Sequence, residues 1–453
     1  MKRSISVMMT FIMLLICLTG CSKQNKPNAA NPVTLTMWHV YGSQTESPLN
    51  KIIDEFNLTV GKENGVIINV VSVTSSSAID KALAASSNNE PGAEALPDLF
   101  TAYPRVAEIV GTDNLLAWDN YFTQDELSQF TSEFLAEGYF DDKLHMLPIA
   151  KSTEALFLNE TIFKRFQAET NISMEELSSF EDLFHVAEQY YDWSGGQHFM
   201  QINDYYNYAY IGMKAHQSEF VVNGQLQLDT PAFATIWTPL AHAAIHGGIC
   251  LEDGYAAARW KTVEIIANTG STADILYQPD HVIYSDNTTE NISTLALPYP
   301  TFTDDANYTV HRGGGLFAIK NEDERKNYGA YIFAKWLSQK EHNLSFVTKA
   351  GYLPVTDDAF DDLLANINLV ENKEYHPLYK TIGIMNKNYT FYALPLYSNA
   401  SEVQLNFEQN VKTVLRAAHN QYIQRIENGE NPSVVMDELI ASSLEELKKL
   451  STN

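Results

Sequence analysis

VTLTMWHV (Val33–Val40) and VIINVVSV (Val66–Val73) are the two runs whose reading decides the fold. The first alternates in polarity and is rich in β-formers. The second is nearly continuous in β-branched residues, as expected of a strand buried on both faces. Between them, Pro48 to Val60 carries Leu49, Ile52, Ile53, Phe56 and Val60 at helical spacing. A short helical stretch, Ala78 to Ser86, leads to a third strand, DLFTA (Asp98–Ala102), and a further helix begins at Val106. This β-α-β-α order predicts a parallel sheet with helices on both faces.

Downstream, HMLPIAKSTEALFL (His145–Leu158) breaks the rhythm with a long extended stretch. Helices are expected at Phe180–Tyr191 and Ala232–His246. A strand at Val263–Ala267 is expected to run into the turn Asn268-Thr269-Gly270-Ser271-Thr272-Ala273. Thr309 to Ile319 is extended around Gly313-Gly314-Gly315. A helix pair follows at Tyr328–Leu337 and Glu341–Ala350, and long amphipathic helices at Glu402–Ala418 and Ser433–Leu450 close the chain.

Upstream, Lys2 and Arg3 precede an almost wholly apolar run, Ile5 to Leu18. It is shorter than the ~20 apolar residues a membrane span needs and fits a secretory signal. Leu18-Thr19-Gly20-Cys21 resembles a bacterial lipobox, in which the cysteine is acylated and becomes the mature N-terminus. Residues 1–20 are then a signal peptide. Residues 21–32, polar and with nothing to bury, read as a flexible lipid-anchored tether. The alternative is an ordinary signal that happens to contain a cysteine.

The remaining ~420 residues suit two or three domains, and 45% apolar and 11% aromatic residues allow sizeable cores. Net charge is −26, and loss of Lys2 and Arg3 with the signal makes it −28. Such a surface repels nucleic acid and anionic lipid, and no nucleic-acid partner is expected. Of three cysteines, Cys17 leaves with the signal and Cys21 is acylated, so Cys250 has no partner and no disulfide framework exists. Cys250 reads as a buried apolar residue.

Four segments, in order behind the lipobox, resemble the extracellular solute-binding lipoproteins of ABC importers, in the branch that includes glycerol-phosphate and oligosaccharide binders. TMWHVYG (Thr36–Gly42) is similar to the first strand and ligand loop. LPIAKSTEALFLNETIF (Leu147–Phe163) and GGGLFAIKNEDERKNYGAYIFAKWLSQKE (Gly313–Glu341) are similar to the two interlobe crossings. AGYLPV (Ala350–Val355) resembles the family's TGYLP signature. The resemblance implies an α/β, periplasmic-binding-protein-like clamp of two lobes, each a mostly parallel sheet flanked by helices. Residues 33–151 plus 311–355 would form the N-terminal lobe, and 152–310 plus 356–453 the C-terminal lobe. It further implies a monomer at the outer face of the cytoplasmic membrane that hands a small solute to permease transmembrane subunits. No cofactor, metal or turnover is expected.

A sugar site needs aromatic faces and short polar groups, and in open α/β sheets it lies at strand carboxyl ends. Trp38, His39 and Tyr41 stand where the first strand runs out, although Trp38 also reads as half-buried core. Tyr103 and Arg105 follow the third strand. Tyr103 occupies the place of a ligand carboxylate in glycerol-phosphate relatives, which puts that contact in doubt. The resemblance implies roles for Ser152 in the first crossing, Ser271 and Thr272 in a serine-rich loop, and Tyr352 in the signature. Glu154 reads as a hydroxyl acceptor or a surface residue, and Gly314 as a backbone donor or hinge. Trp193, Tyr205, Tyr206 and Tyr208 read as sugar platforms or loop aromatics.

Phosphate binders of this type carry an arginine before the last long helices, where this chain has Leu394-Pro395-Leu396-Tyr397-Ser398-Asn399. Lacking that bidentate partner, the site is expected to favour a neutral saccharide. Only an inward-pointing Arg312 would substitute. Enzyme signatures are weak. The acidic pairs are adjacent residues in turn-like settings, His242 and His246 lack the glutamate of the zinc-protease motif, and no nucleophile elbow is present. A lipid-anchored sensor or adhesin reusing the fold is the remaining class.

Overall fold

The strands that position the site are β1 (Val33–His39), β2 (Val66–Ser72), β3 (Leu99–Ala102), β4 (Ser152–Asn159), β5 (Met200–Ile202), β6 (Ala267–Ser271), β7 (Thr294–Pro298), β8 (Tyr308–Arg312), β9 (Gly315–Ala318) and β10 (Thr390–Tyr392). They belong to a computed structural model that describes residues 26–41, 47–73, 76–397 and 399–451. The expected signal, Cys21, Gly42 and Ser398 lie outside the described residues.

The chain divides into two compact units. The first comprises the described residues up to Leu127, Gly138–Leu147 and Gly315–Gln339. The second comprises Ser128–Glu137, Pro148–Gly314 and the described residues from Lys340 onward. The segment 340–355, expected in the first lobe, therefore belongs to the second unit. The reason is Asn343, fully buried. Its Nδ2 donates to Ile149 O (2.8 Å) and its Oδ1 accepts from Val355 N–H (3.1 Å). Leu353 and Lys151 also exchange backbone hydrogen bonds.

In the first unit a five-stranded sheet runs β2-β1-β3-β9, with the short strand Leu147–Pro148 at its edge. β1 pairs in parallel with β2 and β3, and β9 pairs antiparallel to β3. The helix Pro48–Leu58 starts at Ser47, whose side chain accepts from Asn50 N–H, and it buries Leu49, Ile52, Ile53 and Phe56. It stops before Val60 because Thr59 leaves helical angles, and the chain restarts as Val60–Asn64. Residues 26–31 are not a free spacer. Pro27 is buried, Asn28 and Asn31 form a bridge, and Lys26 lies 4.3 Å from the Tyr328 ring centroid.

The second unit is built on a six-stranded sheet, β10-β8-β4-β6-β5, with β7 also paired to β4. Every residue of β4 is buried, the polar Ser152, Thr153 and Glu154 at its start as well as the apolar residues 155–158. β4 lies antiparallel to β6, β7 and β8, while β6·β5 and β8·β10 are parallel. This sheet is mixed. The start of β4 therefore meets the ends of two strands, with Glu154 opposite Ser271 and Ser152 opposite Arg312.

Two local expectations change. The strand expected at Val263–Ala267 is Ala267–Ser271, so the Asn-Thr-Gly-Ser run is paired strand, Asn268 and Thr269 on both edges and Gly270 and Ser271 on one, and not a loop. The tyrosine-rich stretch is the helix Tyr205–Ala215. Asp204 caps it by accepting from Asn207 N–H, and Tyr205 through Met213 are buried. Aromatics are weak helix formers, and burial on all sides overrides that preference.

Candidate functional site

At the start of β4, a buried polar cluster forms where apolar packing would be expected. Glu154 is 1% exposed, and its Oε1 accepts from Asn207 Nδ2 (2.7 Å) and Arg312 Nη1 (2.5 Å). Arg312 Nη2 also lies 3.7 Å from Asp204 Oδ2. Burial pushes the Glu154 carboxyl above its usual range, Arg312 draws it back, and Asp204 adds to the upward push. Such a charge is tolerable in the interior only with its partners in place.

Neighbouring groups extend the cluster. Ser271 Oγ donates to Ser152 Oγ (3.1 Å) and accepts from Ala273 N–H (3.2 Å). Thr272, fully buried, accepts from Thr153 N–H (3.4 Å). Asn203 Nδ2 donates to Asp274 Oδ2 (3.1 Å), and burial raises the Asp274 carboxyl. Glu408 accepts from Tyr206 N–H (2.7 Å) at the N-terminus that Asp204 caps, a favourable place for carboxylates. Its own carboxyl is pushed well above the usual range, first by burial and then by Asp204.

A raised folded-state carboxyl pKa costs stability as pH climbs past the unfolded value of ~4.3. Glu408→Gln keeps the acceptor for Tyr206 N–H and removes the titration. The variant is therefore expected to gain on the native protein as pH rises from about 4 to about 8. Melting curves across that range check it, and a pH-independent difference would contradict it.

The sequence candidates divide as follows. Ser152, Glu154, Ser271 and Thr272 meet in this cluster. Tyr205 does not serve as a platform, because it is 1% exposed within the apolar core. Tyr206 and Tyr208 are buried with it. Trp193 packs on Phe166 and Tyr190 and donates to Glu169 (2.8 Å), apart from the cluster. Tyr352 is half-buried, its ring 6.5 Å from Phe346, and its carbonyl accepts from Tyr379 Oη (3.4 Å).

Gly314 is half-buried. Its neighbour Gly313 has φ +101, and a Cβ there would meet Ala150 O at 2.8 Å, so close packing accounts for that glycine. Arg312, Asp204, Asn207, Asn203, Asp274 and Glu408 complete the cluster. Only Arg312 was weighed from sequence. Asp204, an N-cap residue type directly before the tyrosine run, is the one sequence signal that would place a helix start here; it says nothing of the partners that reach it from elsewhere in the chain.

In the first unit the β1 end is core. Trp38 is 3% exposed among Ile79, Leu83, Phe100 and Phe317, so it offers no stacking face. His39 is fully buried. Tyr41 N–H donates to His39 Nδ1 (3.1 Å), so the proton sits on Nε2 and is donated to Asn50 Oδ1 (2.8 Å). Burial lowers the His39 pKa and raises that of Tyr41. Tyr103 is half-buried, with the Arg105 guanidinium 4.9 Å from its ring centroid and Arg105 paired to Asp80 at 2.6 Å. Cys250 is 2% exposed in the second unit, and burial raises its thiol pKa, which leaves it unreactive.

The second unit thus gathers polar side chains at strand ends of a mixed sheet. The chain belongs to the bacterial extracellular solute-binding proteins, whose family model matches residues 51–374. That membership puts its work outside the cytoplasm. No curated protein is significantly similar to it in sequence. Three solved structures share the fold at low identity. The cyclic alpha-maltosyl-1,6-maltose binding protein of Arthrobacter globiformis is 16% identical at TM-score 0.64, over 93% of this chain and 99% of that one. An ABC substrate-binding protein of Listeria monocytogenes, solved with cycloalternan, is 12% identical at TM-score 0.65, over 92% and 98%. A Mycobacterium tuberculosis protein in complex with glycerophosphocholine is 14% identical at TM-score 0.64, over 92% and 99%. The fold is thus the two-lobed α/β fold of periplasmic-binding-protein type. No helix among the described residues is long and apolar enough to cross a membrane.

Proposed function

We propose that this chain is the lipid-anchored, solute-capturing component of an ABC importer and that its solute is a neutral saccharide. The observation that carries the choice of solute is the state of Arg312. Its guanidinium is held by Glu154 at 2.5 Å and faces Asp204 at 3.7 Å, with Asp274 also within electrostatic reach. A phosphate would have to displace carboxylates to reach it and would meet their repulsion. Hydroxyls, which both donate and accept, suit such a surface. Two of the three structural relatives were solved with, or named for, oligosaccharides, which supports the same reading.

Capture works by hinged closure. The solute binds the closed state better than the open one, and only that difference shifts the population. The chain delivers its solute to permease subunits, needs no cofactor and leaves the solute chemically unchanged. A thermal-shift screen of the form beginning after Cys21 tests this, using mono- and oligosaccharides, polyols, glycerol phosphate and glycerophosphocholine. A ligand at a hundred times its Kd adds about 2.7 kcal/mol. Stabilisation by a neutral saccharide is expected. Stabilisation by phosphorylated polyols alone would overturn the choice of solute, and no stabilisation by any would favour a sensor or adhesin. For the anchor, Cys21→Ser is expected to release the protein from membranes and abolish fatty-acid labelling. Unchanged labelling would refute acylation at Cys21.

A further inference from the structure

The segment that follows the expected anchor is docked on the first unit. Pro27 is buried. Asn28 Oδ1 accepts from the N–H groups of Ala30 and Asn31 (3.1 Å each), which turns the segment back on itself. Val33 N–H then donates to Gly65 O (2.8 Å). Gly65 suits this contact and no other residue would: its φ is +68, and a Cβ there would meet Asn28 O at 2.0 Å. Lys26 Nζ stands 4.3 Å from the centroid of the Tyr328 ring.

Docking sets a length. Cys21 and Lys26 are five positions apart in the sequence. An extended chain advances at most ~3.6 Å per residue, so a lipid on Cys21 is held within about 18 Å of Lys26. A spacer running free to Val33 would reach about 43 Å.

The face where the chain arrives suits a headgroup layer. Tyr328 is half-buried, and its ring centroid lies 6.5 Å from that of Tyr121 and 5.4 Å from that of Tyr331. Tyrosines with an apolar body and a wet tip are the side chains that a bilayer interface accepts. Tyr121 also lines a cavity of about 230 Å³ with Lys143 and Lys320. Both lysines are exposed, and neither is in an ion pair among the described residues. Carboxylates nearby are already engaged. Glu324 accepts from Tyr121 Oη (2.6 Å) and Asn327 Nδ2 (2.9 Å), Asp141 accepts from Thr112 Oγ1 (2.9 Å), and Glu126 is paired with Lys335. Of the cavity's carboxylates only Asp113 lacks such a partner among the described residues. On so acidic a chain, a patch of unpaired lysines is where an anionic bilayer meets least repulsion.

We propose that this face of the first unit, Lys26 with Tyr121, Tyr328 and Tyr331 and the adjoining Lys143 and Lys320, rests on the phospholipid headgroups of the membrane that carries the anchor. The docked segment then acts as a short strut and not as a free leash. This rests on acylation of Cys21, as read above. The test uses the acylated protein in vesicles, with a fluorophore on Glu322→Cys and a quencher on lipid headgroups. Glu322 is exposed, between the cavity residue Asn321 and Asp323, the N-cap of the helix Glu324–Ser338. Cys250 is buried and does not compete for the label. Vesicles are phosphatidylcholine with and without phosphatidylglycerol.

Strong quenching is expected in the native tether. A twenty-residue Gly/Ser insert after Ser22 should lower it by up to about tenfold, because effective concentration falls roughly as the −3/2 power of tether length. The triple variant Lys26→Gln/Lys143→Gln/Lys320→Gln should lose quenching on vesicles with phosphatidylglycerol and keep it on phosphatidylcholine alone. Unchanged melting curves confirm that the variants fold. Quenching that the insert leaves unaltered would overturn the membrane-facing surface and leave acylation intact. A chain that takes up no fatty acid would overturn both.

Discussion

Arg312→Met is expected to lower the stability of the second unit by about 3–5 kcal/mol at neutral pH, the usual cost of stranding one member of a buried ion pair. Glu154 would remain almost fully buried, with only Asn207 donating to it, and Asp204 nearby would add repulsion. The double variant Arg312→Met/Glu154→Gln removes the stranded charge while keeping an acceptor for Asn207. It should recover most of the loss, because a buried pair replaced whole is often close to neutral. Differential scanning calorimetry and urea unfolding of the two variants decide the matter. A single-variant loss below about 1 kcal/mol would mean that the pair behaves as an exposed one and that the cluster does not organise the strand ends.

The second large effect concerns His311 and acid. His311 is 8% exposed, with its ring against Phe134 and Phe391 and its Nε2 buried without a hydrogen-bond partner among the described residues. Burial, with the Lys151 ammonium second, depresses its pKa to about 3. Lys151 is itself fully buried and donates to Glu137 (2.7 Å) and Gly313 O (3.3 Å).

Above the unfolded value of ~6.5 the imidazole is neutral in both states and makes no pH-dependent contribution. Below it, the unfolded chain takes up a proton that the folded chain refuses. Stability is then lost at up to ~1.4 kcal/mol per pH unit, until the folded pKa is reached. His311→Gln removes this dependence. The stability of the native protein relative to the variant should therefore fall steadily as pH drops from about 6.5 towards 3, and be flat above 7. A flat difference throughout would show that His311 is protonated in the folded state.

Much of the architecture was legible along the chain. β1, β2 and β3 and their intervening helices follow from alternation, β-branching and helical spacing, because each pattern is repeated within a few residues and reports directly on which face is buried. The failures were of two physical kinds. Asn268, Thr269 and Gly270 carry turn-like chemistry, yet pairing with β4, and for Asn268 and Thr269 with β5 as well, made them strand. From sequence Trp38 reads as a stacking face or half-buried core, and Tyr205 as a sugar platform or a loop aromatic, because their ring chemistry suits sugars. Ring chemistry is the same whether a side chain faces solvent or the core, and packing put both inside.

What the sequence determined by itself, then, was the order of elements and the solute-binding class, both carried by local pattern or by motifs in series. The polar cluster was decided only by tertiary structure. Ser152 and Ser271 are 119 positions apart, Glu154 and Arg312 158, and Tyr206 and Glu408 202. Periodicity looks ahead by only about four residues. Tyr206 and Glu408 meet between the helices Tyr205–Ala215 and Ala400–Glu427; the other two pairs meet because β4 runs antiparallel to β6 and β8, which sets its first residues against their last. That register exists only once the sheet has formed. The electrostatic consequence, an arginine already claimed by carboxylates, follows from burial, which strengthens every such pairing and which no linear pattern of charges reveals.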